Sequence, residues 1–249
     1  MVEARDFLGM FPNSKPVMAM LHLKGPDKAS MKERVKRELD IYLRCGVDSV
    51  IVEDYFGTYS DMEWALGYAG EQDVGIPVGV NCLNVDAMGF ELAMRFGADY
   101  VQLDSVIGHV KPRDEESEAA FLDLFRSRYD GCVMGGVRFK YQPVLSEHSL
   151  AEDLEAAKGR CDAVSVTQDA TGQETSVEKI REFREGLGDF PLIVAAGVTP
   201  ENAAKSLSIA DGAVVGSYFK DTYRDDGEVE ESHVRKLMQA VRDIRGDLG

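Results

Sequence analysis

The chain has 249 residues, enough for one large domain with its own core and close to the ~250 of a (β/α)8 barrel. A net charge of −16, with acidic residues spread along the chain, argues against nucleic acid and anionic membrane surfaces as partners. The 44% hydrophobic content includes no apolar run approaching the ~18 residues of a membrane span. The four cysteines, Cys45, Cys82, Cys132 and Cys161, have no CxxC or metal-ligand spacing and read as buried thiols of a reducing compartment. The start, Met1-Val-Glu-Ala-Arg-Asp, lacks a basic n-region and an apolar h-region. A cytoplasmic protein is the expectation, and any anionic ligand would need a local pocket of N–H, Lys and Arg groups.

Residues 1–14 read as a lead-in whose Asp6-Phe-Leu-Gly-Met-Phe could cover a barrel floor. Pro16–Leu21 is the first strand. A helix follows from Ser30, with Val35, Leu39 and Leu43 as an apolar stripe and Gly46 closing it. Strand Asp48–Glu53 precedes helix Asp61–Gly70, and strand Ile76–Asn81 precedes Asp86–Phe96. Strand Asp99–Asp104 precedes Glu115–Arg128, and strand Cys132–Lys140 precedes Leu150–Lys158. Strand Asp162–Thr167 precedes Val177–Leu187. The last two strands are Leu192–Ala195 and Ala213–Val215, and the last helix is Ser232–Arg245. Strands recur every roughly 20–32 residues, the size of a βα unit. Eight units predict a closed (β/α)8 TIM barrel spanning 1–249 as one domain, with a doubly wound sheet as the competing reading.

Strand parity adds a functional signal, because alternate side chains face the lumen of a barrel. The inward sets are Met18, Met20 and His22; Ser49, Ile51 and Glu53; Gly79 and Asn81; Tyr100, Gln102 and Asp104; Gly136, Arg138 and Lys140; and Ala163, Ser165 and Thr167. Val133, Val137 and Phe139 take the helix side. The last inward residues, His22, Glu53, Asn81, Asp104, Lys140 and Thr167, are all polar. They converge on the carboxyl end of the barrel, where barrel enzymes place their sites.

The seventh and eighth strands each end in glycine, Gly197 and Gly216, followed by Thr199-Pro200-Glu201 as a helix start and by Ser217. Thr199 is the expected N-cap, with Pro200 at the first helical position. Such turns aim backbone N–H groups at an anion, so a phosphate is expected there. Lys220 would add its charge to that anion, and Asp169 with Thr171-Gly172 would close over the ligand. His109, His148 and His233 read as surface residues.

The segments Pro16-Val-Met-Ala-Met-Leu-His-Leu, Val78-Gly-Val-Asn-Cys-Leu-Asn-Val-Asp-Ala, Asp162-Ala-Val-Ser-Val-Thr, Gly197-Val-Thr-Pro-Glu-Asn and Asp211-Gly-Ala-Val-Val-Gly-Ser-Tyr-Phe-Lys resemble the BtpA/SgcQ family of TIM-barrel proteins over nearly the whole chain. The chain departs from the family pattern at Phe139-Lys-Tyr-Gln, at Asp104 and at Glu53-Asp-Tyr-Phe-Gly. The family name derives from photosystem I accumulation, and other members sit beside sugar-metabolism genes. The resemblance therefore implies a fold and a pocket, and no single reaction.

For chemistry, His22, Glu53, Asp104 and Lys140 form the catalytic candidates. A carboxylate beside a Lys in a dry pocket can act as acid or base, and a neutral Lys can form a Schiff base. Opposite charges on Asp104 and Lys140 would hold each other ionised. Asn81, Arg138, Thr167, Asp169, Gly172, Gly197, Gly216, Ser217 and Lys220 are the binding candidates. No cofactor is required by the pattern; Mg2+ on Glu53, Asp54 and Asp104 is compatible with it but nothing in the spacing demands it. Two function classes stand: an isomerase, lyase or transferase acting on a phosphorylated sugar or nucleotide-like molecule, and a non-catalytic ligand-responsive assembly or stability factor. A homo-oligomer is expected.

Overall fold

The computed structural model describes residues 4–107, 114–145 and 147–247. His109, read above as a surface loop residue, and Met1–Glu3 lie outside them. Eight parallel strands close into a barrel in chain order. They are β1 (Val17–His22), β2 (Ser49–Glu53), β3 (Val78–Asn81), β4 (Tyr100–Leu103), β5 (Cys132–Gly136), β6 (Ala163–Val166), β7 (Leu192–Val194) and β8 (Gly212–Val215). The helices are α1 (Lys28–Cys45), α2 (Tyr59–Glu71), α3 (Asp86–Phe96), α4 (Glu115–Arg126), α5 (Leu150–Lys158), α6 (Val177–Leu187), α7 (Ala203–Leu207) and α8 (Glu231–Asp247). Most predicted ends shift by only one or two residues.

Local chemistry sets the helix ends. The Asp27 carboxylate accepts the Ser30 N–H at 2.7 Å to start α1, and Gly46 ends it at φ 77°. Ser149 and Glu152 form a capping box on α5. One strand parity packs on the helices: Val17, Ala19, Leu21, Val50, Val52, Val101, Leu103, Val164 and Val166 join a continuous apolar layer. The other parity, including Met18, Met20, Ile51, Tyr100 and Met134, fills the lumen.

The lead-in closes the amino end of the barrel, as its apolar residues suggest. Phe7 and Phe11 are buried against the lumen and pack edge-on against Tyr100, at 5.6 and 6.5 Å between ring centroids. Arg5 anchors this segment by donating to the carbonyls of Gly131, Arg126 and Tyr129. Beside it, Arg126 and Asp162 make a buried two-pronged ion pair with both N···O distances at 2.9 Å. Among the described residues no helix is long and apolar enough to cross a membrane. All four cysteines are buried free thiols.

Candidate functional site

The register aligns the carboxyl ends of the first four strands. His22 pairs with Glu53, Glu53 with Asn81, and Asn81 with Gln102. Because each is the last or nearly last lumenal residue of its strand, their polar groups lie at one height above the Met18–Ile51–Tyr100 layer. The predicted parities of β1, β2, β3, β4 and β6 all hold.

His22 and Glu53 are buried and touch, Nε2 to Oε2 at 2.9 Å. The other ring nitrogen, Nδ1, lies 3.0 Å from the carbonyl of Asp225, on the loop after β8. A carbonyl only accepts, so Nδ1 donates its hydrogen there and Nε2 faces the Glu53 carboxyl. Tyr55 packs on the His22 ring at 5.2 Å. A hydrogen bond to the Asp225 carboxylate, and then burial, push the Tyr55 phenol upward.

Asp104 stands two strands from Glu53 and accepts from Asn81 Nδ2 at 3.4 Å. Burial, then the charge of Glu53, push its carboxyl up to about 6, and Lys140 and Asn81 offset only part of this. The expectation that Lys140 and Asp104 hold each other ionised is therefore corrected: desolvation outweighs the attraction, and among the described residues Lys140 makes no ion pair. Gln102, also buried, has no partner for its Oε1 among the described residues. Asn81 supports Asp104 from below and does not line the cavity. Asp54 turns aside to accept the Leu83 N–H at 2.9 Å. The Glu53–Asp54–Asp104 ligand set for Mg2+ is thus not assembled, and among the described residues no three His, Cys, Asp or Glu side chains converge on a metal position.

Beyond β5 the parity reading fails. The strand ends at Gly136, not at Lys140, and Arg138 adopts φ 47°. This left-handed residue inverts the alternation. Phe139, expected on the helix side, enters the lumen, and Arg138, expected inward, leaves it. Arg138 pairs with Asp153 at 2.8 Å and donates to the His148 carbonyl. It faces a groove between α5 and α6 that also holds Asp169 and Lys179, so neither Arg138 nor Asp169 reaches the barrel mouth. Lys140 does line the mouth, with Nζ 5.4 Å from the Phe139 ring centroid. Thr167 is fully buried and acts on Lys140 indirectly, its Oγ1 accepting the Lys140 backbone N–H at 2.7 Å.

Gly172, Gly197, Gly216 and Ser217 all line the mouth. Gly197 has φ 70°, and a Cβ there would fall 2.3 Å from the Gln173 carbonyl oxygen, so only glycine fits. Gly216 faces Met20 and His22, where a Cβ would lie 3.4 and 4.0 Å from their side chains; its small size keeps this wall open. Ser217 opens a single 3-10 turn, Ser217–Phe219, whose leading N–H groups have no partner within the turn. The expected helix start at Thr199 is corrected. Helix α7 begins at Ala203, and the Asn202 side chain takes the Thr199 N–H and donates to the Gly197 carbonyl, both at 2.8 Å. Lys220 is also corrected. It is fully buried and pairs with Glu38 of α1 at 3.1 Å, away from the mouth. Glu38 also takes Arg34 Nε at 2.8 Å and the Val229 N–H at 3.0 Å, which pins the loop after β8 to α1.

Together these groups enclose a cavity of about 400 Å3 lined by His22, Glu53, Gln102, Asp104, Lys140 and the turns after β6, β7 and β8. Sequence reasoning missed four tyrosines of the lining, Tyr55, Tyr141, Tyr218 and Tyr223, together with Asp225. Tyr55 and Tyr141 each follow a strand-end candidate within two positions, which is the signal that could have found them. Tyr218 sits in the short 3-10 turn after β8, and Tyr223 and Asp225 in the irregular loop that follows, where no periodicity marks them.

A sequence profile of the BtpA family matches residues 13–243. The chain belongs to the BtpA family. An uncharacterized protein of Thermococcus kodakarensis is 28% identical to this BtpA-family chain, over 93% of this chain and 97% of its own length. The Photosystem I biogenesis protein BtpA of Synechocystis is 21% identical over 95% and 91%. Among solved structures, thiamine phosphate pyrophosphorylase from Pyrococcus furiosus superposes with TM-score 0.63 at 15% identity, covering 92% of this chain and 96% of that one. N-(5'-phosphoribosyl)anthranilate isomerase from the same organism gives 0.61 at 17%, covering 92% and 99%. At these identities the superpositions show a shared barrel fold for this BtpA-family member.

Proposed function

We propose that this barrel is an enzyme that moves a proton on a phosphorylated small molecule, in an isomerisation, lyase or transfer reaction. The phosphate sits against the Gly197 and Gly216–Ser217 turns. Asp104, Lys140 and the His22–Glu53 pair face the reacting carbon. The observation that carries the reading is the Asp104 carboxyl, raised to about 6 in the same cavity as Lys140 and a histidine–carboxylate pair. A group titrating near the working pH can both take and return a proton, which an ordinary carboxylate does poorly. Lys140 then neutralises charge developing on the substrate, and the His22–Glu53 pair relays a second proton. Two of the structural neighbours named above handle phosphorylated compounds by name, which agrees with an anion site after β7 and β8.

The test is proton exchange. Ligands that copurify with the protein are identified by mass spectrometry, and those compounds plus a panel of aldose and ketose phosphates are incubated with the protein in D2O. Deuterium should appear at a carbon next to the carbonyl. Lys140→Met should fold, still bind inorganic phosphate and exchange ~10²-fold more slowly. Exchange at the parent rate in Lys140→Met, or none with any compound, would sink the proposal.

A further inference from the structure

Three exposed aromatic residues follow strands at the carboxyl end of the barrel in a backbone conformation that bulky side chains avoid. Phe56, Tyr141 and Tyr223 have φ of 70°, 62° and 55°. They follow β2, β5 and β8, and so stand almost evenly around the barrel. Their exposures are 50%, 70% and 56%. A left-handed aromatic residue costs free energy, and here burial of the ring does not offset it. The surrounding contacts hold each ring in place nonetheless. Tyr141 accepts the Thr171 N–H on its hydroxyl at 2.9 Å. Tyr223 stacks on His233 at 4.6 Å and its hydroxyl meets Nε2 of the same ring at 3.0 Å. Phe56 packs edge-on against Tyr55 at 4.7 Å.

Tyr141 and Tyr223 line the cavity itself, and Phe56 braces Tyr55, which also lines it. The rings thus surround a well of about 400 Å3, within the ~300–1,000 Å3 of small-molecule sites. Deeper in the well the lining is polar, with Gln102, Asp104 and the His22–Glu53 pair facing the same cavity.

We propose that the ligand carries a planar aromatic or heteroaromatic ring, stacked on Tyr141 and Tyr223, joined through a hydroxylated portion to its phosphate. The proposal rests on the phosphate reading given above. A nucleoside monophosphate has all three parts: a π-face for the tyrosines, hydroxyls for the polar lining of the well and an anion for the β7 and β8 turns. Base–aromatic stacking is strong enough to dominate selection between ligands that share a phosphate.

The experiment measures binding of AMP, UMP, ribose 5-phosphate and adenosine by calorimetry to the parent protein, Tyr141→Ala, Tyr141→Phe and Tyr223→Ala, each checked for its melting temperature. At least one nucleotide should bind about tenfold or more tighter than ribose 5-phosphate. Tyr141→Ala and Tyr223→Ala should remove most of that advantage while leaving ribose 5-phosphate unchanged, and Tyr141→Phe should keep it. If ribose 5-phosphate binds as tightly as both nucleotides, if the alanine variants weaken it equally, or if none of the four compounds binds, the ring proposal is overturned. If adenosine binds as tightly as AMP with the same tyrosine dependence, the ring proposal stands and the phosphate reading fails.

Discussion

Replacing Asp104 with asparagine should make the protein more stable. The Asp104 carboxyl lies at about 6 against an ordinary 3.8, because burial and Glu53 outweigh Lys140 and Asn81. A raised carboxyl pKa means that the folded chain holds the proton more tightly than the unfolded chain. Stability from this group is therefore greatest below 3.8, falls as pH climbs towards about 6, and then stays low. The interval from 3.8 to about 6, at ~1.36 kcal/mol per pH unit, is about 3 kcal/mol at pH 7.5. Water reaching the partly exposed carboxyl screens some of this, which leaves about 1–3 kcal/mol. Asparagine keeps an oxygen for Asn81 Nδ2 and never ionises. Urea unfolding of Asp104→Asn and its parent should differ by that amount at pH 7.5, in favour of the variant, and by about 0.5 kcal/mol or less at pH 4. A variant less stable than the parent at pH 7.5, or a difference that does not change with pH, would refute the reasoning. Loss of exchange activity in the same stabilised variant would identify Asp104 as a residue kept for chemistry at the expense of stability.

Two further outcomes follow from the corrected geometry. Ser217→Asp places a negative charge at the turn after β8 and should weaken inorganic phosphate binding by about tenfold in calorimetry, with the melting temperature retained; unchanged affinity would remove Ser217 from the anion site. Glu38→Ala strips the counter-charge from buried Lys220 and Arg34 and should cost about 3–5 kcal/mol in urea unfolding; a loss below about 1 kcal/mol would show that the pair is not what holds the loop after β8.

The regular strands were legible because their logic is local. Two-residue alternation placed His22, Glu53, Asn81, Asp104 and Thr167 on the lumen side without knowledge of any contact. The same logic put Arg138 inward, and one left-handed residue undid it, since φ at Arg138 depends on packing that no run of side-chain types records. Lys220 read as an anion ligand because it follows the Gly216–Ser217 turn closely. Its actual partner, Glu38, is 182 residues away in the chain, and only the closed barrel brings α1 beside the loop after β8. The tyrosines of the mouth escaped for a related reason: irregular loops have no period, and the hydrogen bonds that position Tyr141 and Tyr223 join different loops or a loop and a helix.

The aromatic floor made by Phe7, Phe11 and Tyr100 has a consequence for traffic. A barrel stoppered at its amino end is a cul-de-sac. A ligand cannot enter at one side and depart at the other, so whatever binds in the cavity enters and leaves by the same mouth, which Tyr141 and Tyr223 line. Were the proposed proton transfer to run here, reactant and product would compete for that one doorway, and accumulated product would slow turnover by standing in it.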